Sequence, residues 1–252
     1  MATKRPEYEL FYWPGIQGRG EFVRLAFEDA ATPYVDVARE PGGIKALEKL
    51  LRERGTPAAP APFAPPFLRH RKLLIAQTSA ILHYLGPRLG LVPATEAGRL
   101  AALQHQLTIA DWVAEAHDTH HPLGVSFYYE DQRPEALRRS TDFRSARLPK
   151  FLGYFEGVLA AHPRRGYLTG ARVSYADLSL FQVVSGLRYA FPRAFARAAR
   201  KAPRVVELAE RVAQRPNIAA YLKSPRRLEF NEQGIFRNYP ELDEGTARRK
   251  KS

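Results

Sequence analysis

The chain is 252 residues long and 45% hydrophobic, and its 39 Lys and Arg against 26 Asp and Glu give a formal net charge of +13. That length and apolar content support one large or two smaller packed domains and exclude wholesale disorder. The absence of cysteine excludes disulfide scaffolds, thiolate metal sites and redox chemistry on a protein thiol.

No apolar run approaches the ~20 residues that cross a bilayer. The start, MATKRPEYEL, has basic residues with no apolar stretch behind them, so no secretory signal is expected and a soluble, cytoplasmic protein is the default. The positive charge is compatible with nucleic-acid binding. It is spread along the chain, however, and ARRKKS at the end reads as a solvated tail. No zinc-finger spacing, RNA-binding aromatic signature or basic heptad accompanies it, so a field attracting small anions is the favoured use.

In chain order, YELFYW (8–13) is aromatic and β-prone, and PGIQG turns the chain. Arg19 to Ala30 carries a helical stripe of Val23, Ala26, Phe27 and Ala30. PYVDV (33–37) alternates as a second strand, and residues 43–54 read as a short basic helix on Leu47, Leu50 and Leu51. TPAAPAPFAPP (56–66) cannot be helix, because its prolines remove N–H donors and fix φ. FL and KLLIA around RHR read as a hairpin, and QTSAILHYLG (77–86) as a helix that Gly86-Pro87 stops. The crowding of Gln77, Thr78 and Ser79 at its start marks a possible anion site at a helix N-terminus.

Residues 95–223 hold long helical patterns and little strand signal. One runs from about Ala97 to His121 and one from about Pro134 to Ala161, with a kink or break expected at Pro149. A third starts at SYADLSLF, where Ser174 and Asp177 have capping-box-like spacing, and RPNIAAYLKS is a short last one. Residues 225–252 show little periodicity.

This βαβαββα unit followed by a helical region resembles the cytosolic glutathione transferases. GRGEFVR (18–24) is similar to the G-R-x-E-x-x-R run that opens the first helix of the alpha class. QTSAIL (77–82) is similar to the Q-[ST]-x-A-I-L run of the tyrosine-type classes (alpha, mu, pi and sigma). Pro66 stands eleven residues before Gln77, where that family places a cis-proline, and GARVSYADLSLF resembles its G-x-x-x-S-x-A-D capping motif. The resemblance spans about residues 8–223. It implies an α/β plus all-α protein: a thioredoxin-like N-terminal domain (1–86), an all-helical domain (93–224) and a tail (225–252). A bacterial member is the expected source.

The resemblance implies that Thr78, through its N–H and hydroxyl, receives the γ-glutamyl carboxylate of glutathione, and that Gln77 adds an amide bond to the same end. The reaction implied is attack of the glutathione thiolate on an electrophilic small molecule. A free thiol is mostly protonated at neutral pH, so a hydroxyl donor and a cation beside the sulfur are needed. Tyr12 is the expected donor. The chain has one residue more between Tyr12 and Gly18 than the alpha and pi pattern. Turns absorb insertions and strands do not, so the extra residue is assigned to PGIQG and Trp13 is not the donor.

Arg19 is the expected cation, and Arg24 an ion-pair former with Glu21 or Glu28. Lys45 or Lys49 is expected at the glycyl carboxylate, and Asp111 at the γ-glutamyl amine across a dimer interface. In the family the residue before the cis-proline pairs with the cysteinyl backbone of glutathione. Here it is Pro65, which has no N–H to offer. A homodimer with Phe63 as anchor is expected. The electrophile should lie between the domains, against the first long helix and the tail. The tail is expected to cover the cleft and to be dispensable for folding. HDTHH (117–121) has helical His spacing without an HExxH motif, so no metal is assigned, and glutathione is the co-substrate with no other cofactor. The rival readings are a binding or scaffold protein that keeps the fold without catalysis, and a basic nucleic-acid-associated module.

Overall fold

Alternation in YELF sends Leu10 to one face of a sheet and Phe11 to the other. Residues 6–56, 60–161 and 166–243 are described by a computed structural model; ARRKKS and part of the proline-rich stretch lie outside them. The N-terminal elements are β1 (Tyr8–Phe11), α1 (Gly20–Asp29), β2 (Tyr34–Asp36), α2 (Gly43–Arg52), β3 (Phe67–His70), β4 (Leu73–Ala76) and α3 (Thr78–Leu89). The sheet order is β2-β1-β3-β4, with β1 parallel to β2 and antiparallel to β3. Leu10 faces Leu68 and Phe11 faces Phe67 across the β1–β3 register. Leu10 and Leu68 pack with Val23, Phe27, Ile81 and Leu85 under α1 and α3. Phe11 and Phe67 pack with Leu47 and Leu50 of α2 on the other face.

Two local expectations change. β1 ends at Phe11, before Tyr12 and Trp13. Gly86-Pro87 does not stop α3, which continues to Leu89. Proline forfeits one N–H bond in the last turn, and the stop comes from Gly90, in the left-handed region at φ 68°. The Leu91 N–H then closes on the Gly86 carbonyl at 2.8 Å.

The second region contains α4 (Glu96–His117), α5 (Arg133–Asp142), α6 (Leu148–Ala161), α7 (Tyr175–Ala190), α8 (Pro192–Ala199), α9 (Pro203–Ala213), α10 (Pro216–Leu222) and α11 (Pro240–Asp243). The expected break at Pro149 is a π turn over Phe143–Arg147 that joins α5 to α6. Proline cannot bond to the carbonyl four residues back, and widening the preceding turn accommodates the lost bond. At the head of α7 both the Ser174 N–H and its hydroxyl donate to Asp177 Oδ2, at 2.7 and 2.6 Å, while the Leu168 N–H donates to Oδ1. The pattern reading missed α8 and α9. Each opens on a proline at its first turn, which periodicity alone reads as an interruption.

Every residue of α1 is buried, although it contains Glu21, Arg24, Glu28 and Asp29. Arg24 bonds Asp36 Oδ2 at 2.7 Å and Glu21 Oε2 at 3.2 Å. Burial opposes the Arg24 charge, but Glu21 and Asp36 outweigh it and hold the guanidinium protonated. Glu21 Oε1 also accepts from the Tyr221 hydroxyl and from Arg227, both at 2.6 Å. Arg227 continues to Gln182 Oε1 at 2.9 Å, and Gln182 donates to Gln17 Oε1 at 2.7 Å. Glu28 pairs with Arg226 rather than Arg24, and Asp29 with Arg215.

The tail therefore belongs to the core, contrary to expectation. Gln17 donates to the Leu228 carbonyl and Asn231 to that of Gly15. Ile235, Phe236 and Leu242 are buried in the main apolar cluster, and the Phe236 ring lies where a side chain at Gly186 would go. The Asp243 carboxylate accepts the N–H groups of Arg193 and Ala194 at the start of α8. His120 donates from Nε2 to the Ile235 carbonyl at 2.9 Å. Its ring lies 5.1 Å from that of His117 and 4.8 Å from that of His121. Burial pushes His120 down to about 2; Ile235 opposes this and Arg237, His117 and His121 reinforce it.

Truncation after Ser224 should abolish cooperative unfolding. The milder Phe236→Ala should lower the unfolding free energy by about 3–5 kcal/mol in a denaturant titration. His120 binds a proton readily only when unfolded, so stability should fall as pH drops below about 6.5, by about 1.4 kcal/mol per pH unit for one such group. His120→Gln keeps a donor for Ile235 but cannot titrate. Urea titrations at about pH 7 and pH 5 should show a slope shallower by about one proton.

Candidate active site

GRG at 18–20 is shaped around one side chain. Gly18 has φ 48°, and a Cβ there would collide with the Tyr12 hydroxyl; one at Gly20 would collide with the Tyr12 ring. Both glycines are thus required by the close approach of Tyr12, which is buried. The Arg19 N–H donates to Tyr12 Oη at 2.8 Å. Burial raises the Tyr12 pKa above its ordinary value, and the Arg19 N–H with the charges of Arg19 and Arg24 opposes that shift. The group is a neutral phenol whose own proton is still available to donate. Trp13 is 39% exposed and does not pack at this position.

A cavity of about 70 Å³ opens between the start of α1, the start of α3 and one face of α4. Arg19, Gln77, Thr78 and Ser79 form its polar side, and Phe22, Ile109, Ala110 and Val113 its apolar side. Gln77 precedes α3 at φ 69° and ψ 120°, a strained backbone for a residue with a side chain, and its own side chain does not cap the helix. The first N–H groups of α3 therefore face outward with the positive end of the helix dipole, beside the exposed Arg19. The Thr78 hydroxyl donates weakly to the Arg19 carbonyl at 3.4 Å, tying the two starts together. This arrangement suits an anionic group on the polar side and an apolar group against α4.

Other expected site residues lie elsewhere. The Pro65–Pro66 peptide is cis and leads directly into β3. Lys45 and Lys49 line a shallow depression on α2 with Glu48, Arg52 and Glu53, away from the cavity lining. Asp111 is exposed on α4, one residue from Ala110 of the cavity wall but outside it. Phe63 is 90% exposed. Among the described residues the tail contributes no side chain to the cavity, and α4 closes it on the helical side. Among the described residues no group of three His, Cys, Asp or Glu is placed to hold a metal ion.

Sequence reading missed Gln106, which stands on the cavity face of α4 with its Oε1 buried and unbonded among the described residues. The signal was available, since 106, 109, 110 and 113 share one helix face and a lone amide interrupts it. Gln17, read only as part of a turn, is buried and links α7 to the tail.

The family described as "Glutathione S-transferase, C-terminal domain" matches residues 117–225. A glutathione S-transferase of Plasmodium falciparum is 23% identical over 221 residues, covering 84% of this chain and 94% of its own. Glutathione S-transferase P 1 of Xenopus laevis is 25% identical over 225 residues, covering 88% and 94%. Among solved structures, a pi-class glutathione S-transferase of Onchocerca volvulus superposes with a TM-score of 0.66 at 20% identity, over 86% of this chain and 92% of that one. Prostaglandin synthase D of Nilaparvata lugens superposes at 0.67 with 18% identity, over 87% and 98%. These relatives are eukaryotic and lend the expected bacterial source no support. The domain match, the near full-length relatives and the shared fold together support a glutathione transferase family for this chain.

Proposed function

We propose that this chain is a tyrosine-type glutathione transferase that conjugates the glutathione thiolate to electrophilic small molecules. The observation that carries the reading is the meeting of Arg19, Gln77 and Thr78 around one cavity, with the Tyr12 hydroxyl bonded to the N–H of the lining residue Arg19. In this reading the γ-glutamyl carboxylate lies at the start of α3, bonded by Thr78 and Gln77. Tyr12 donates its remaining proton to the sulfur, and the Arg19 guanidinium adds positive charge. Both favour the thiolate over the thiol and lower its pKa. The buried phenol stays protonated, so it acts as a donor and not as a base. The electrophile lies against the apolar side chains of Phe22, Ile109 and Val113.

Glutathione is a co-substrate, and the reaction so described needs no other cofactor. Lys45, Lys49 and Asp111 remain candidates for the glycyl and γ-glutamyl ends only if glutathione or a second subunit extends the site to them. Phe63, Leu100 and Leu107, exposed in the single chain, are the apolar side chains a homodimer would cover. No described helix is long and apolar enough to cross a membrane, and a cytoplasmic location is part of this proposal.

A second reading, a glutathione transferase-fold binding protein without catalysis, is favoured by Pro65. This residue, half-buried next to the cis bond, offers the cysteinyl backbone a carbonyl but no N–H. The missing bond is worth roughly 0.5–1.5 kcal/mol, up to about tenfold in affinity.

Tyr12→Phe should reduce kcat/KM for a chlorodinitrobenzene substrate by about 10²-fold or more, with glutathione affinity little changed. Absorbance of the bound thiolate against pH should show its pKa raised; an unchanged titration would remove Tyr12 from the mechanism. Pro65→Val should tighten glutathione several-fold by calorimetry, at some expense of stability because valine frees the unfolded chain. Equal or weaker binding would mean that glutathione does not lie along residue 65, and would favour the non-catalytic reading.

A further inference from the structure

HDTHH, at the end of α4, lies outside the cleft lining, and the fold closes its three histidines on one another. The ring of His117 lies 5.1 Å from those of His120 and His121, and the last two are 4.8 Å apart. The tail covers the cluster on one side. Ile235 accepts from His120 Nε2 at 2.9 Å, and the Tyr239 ring lies 6.3 Å from that of His120. Arg237, held by its bond to the Gly234 carbonyl, adds a positive charge. On another side the buried Gln132 meets His121 Nδ1 at 3.2 Å. Among the described residues Asp118 supplies the carboxylate at the cluster, 3.2 Å from His117 Nδ1, while Glu241 is engaged by the Tyr129 hydroxyl.

These partners fix where each ring carries its hydrogen. A carbonyl only accepts, so His120 holds its hydrogen on Nε2, and its Nδ1 is bare, buried and without a partner among the described residues. A second proton would enter at that Nδ1, where it finds no acceptor and stands among two imidazoles and Arg237. An amide nitrogen only donates, so His121 Nδ1 accepts from Gln132 and is bare as well. Gln132 cannot turn round to accept. Its Oε1 receives the Leu123 N–H, and its Nε2 faces the carbonyls of Gly124, Phe127 and Tyr128. A proton on His121 Nδ1 therefore sets donor against donor. His117 differs, because its Nδ1 meets a carboxylate that matches the charged ring. Burial lowers the pKa of all three rings, and Arg237 adds to this at each. Arg19 adds to it at His117, while Asp118 opposes it at His117 and His121, Ile235 at His120 and Phe127 at His121.

We propose that HDTHH and the tail segment bearing Ile235 and Arg237 form a proton-operated clasp, shut while His120 and His121 are neutral and opened by uptake of a proton at each. The shut form has room for one proton, on His117. Once open, every ring titrates near the ordinary value of about 6.5. Opening is therefore linked to about two protons and is favoured as pH falls below about 6.5. The force that opens it is repulsion, since charged rings 4.8 to 5.1 Å apart repel one another and the nearby guanidinium. Opening uncovers Ile235 and Phe236 and leaves the sheet folded. The clasp shares no residue with the cleft lining and does not depend on the function proposed for the cleft.

The test is amide hydrogen exchange of the full chain between about pH 7 and about pH 5, with each rate divided by the intrinsic rate at that pH. Uptake of two protons predicts an opening constant about 10²–10³-fold larger at the lower pH in residues 231–239, with β1 and β3 unchanged. His120→Gln keeps a donor for Ile235, and His121→Asn keeps an acceptor for Gln132. Each should cut the rise to about 25-fold, and the double variant should abolish it. His83→Gln, at an exposed position on α3, should behave as the parent chain. Nuclear magnetic resonance of the ring protons gives a check that needs no variant. In the shut chain His117 should titrate, and His120 and His121 should stay neutral down to about pH 5. An equal rise in β1 and β3 would mean global unfolding and would overturn the proposal. So would an undiminished rise in the double variant, or titration of His120 near its ordinary value in the shut chain.

Discussion

The buried pairing of Glu21 with Arg24 is the constraint on which the rest of the molecule depends. An ion pair removed from water is stable only if its remaining donors and acceptors find partners. Here most of those partners come from four separate parts of the chain, Asp36 in β2, Tyr221 in α10, Arg227 in the tail and Gln182 of α7 through Arg227, while Arg24 Nη2 has no acceptor among the described residues. Because α1 is enclosed on all sides, its polar residues cannot retreat to solvent. The sheet, the helical region and the tail are therefore held in one relative placement by hydrogen bonds of fixed geometry, which apolar packing alone would leave freer to slide.

That placement builds the cleft. α1 is locked along its length, so its first residue and the preceding Arg19 are fixed relative to β1, and Tyr12 can sit against Gly18 and Gly20 with its hydroxyl on the Arg19 N–H. α3 packs beside α1, which brings Gln77 and Thr78 to the same edge. α4 packs on α3 and presents Ile109 and Val113 to that edge. The polar and apolar halves of the cavity thus come from two regions of the chain whose alignment is set by the buried charges of α1, with Arg24 5.8 Å from the centre of the Tyr12 ring.

Much of the N-terminal region and its candidate site was legible because its signals are local. Alternation gives the faces of β1 and β3, proline excludes helix before β3, and a helix start crowded with Gln, Thr and Ser names itself. The capping pair Ser174 and Asp177 was legible for the same reason, since both partners lie within one turn. What escaped was non-local. α8 and α9 are short helices introduced by prolines. The tail's apolar residues Ile235, Phe236 and Leu242 follow no helical or strand period, and only their burial against α7 and its neighbours gives them meaning. Pro87 read as a stop because sequence shows the lost N–H bond and not the capping at Gly90 that follows it.

The sequence by itself determined the element order as far as α3 and singled out the candidate residues at the first helix starts, because backbone preference, side-chain period and charge are properties of short stretches. Only the tertiary structure decided that Tyr12 is clasped by Gly18 and Gly20, that Lys45 and Lys49 face a separate depression, and that Gln106 enters the cleft. It also decided that the tail is core and that three histidines meet against it. Each of these depends on which surfaces meet, and that is fixed by burial and hydrogen-bond satisfaction summed over residues as much as 216 positions apart, as between Gly15 and Asn231.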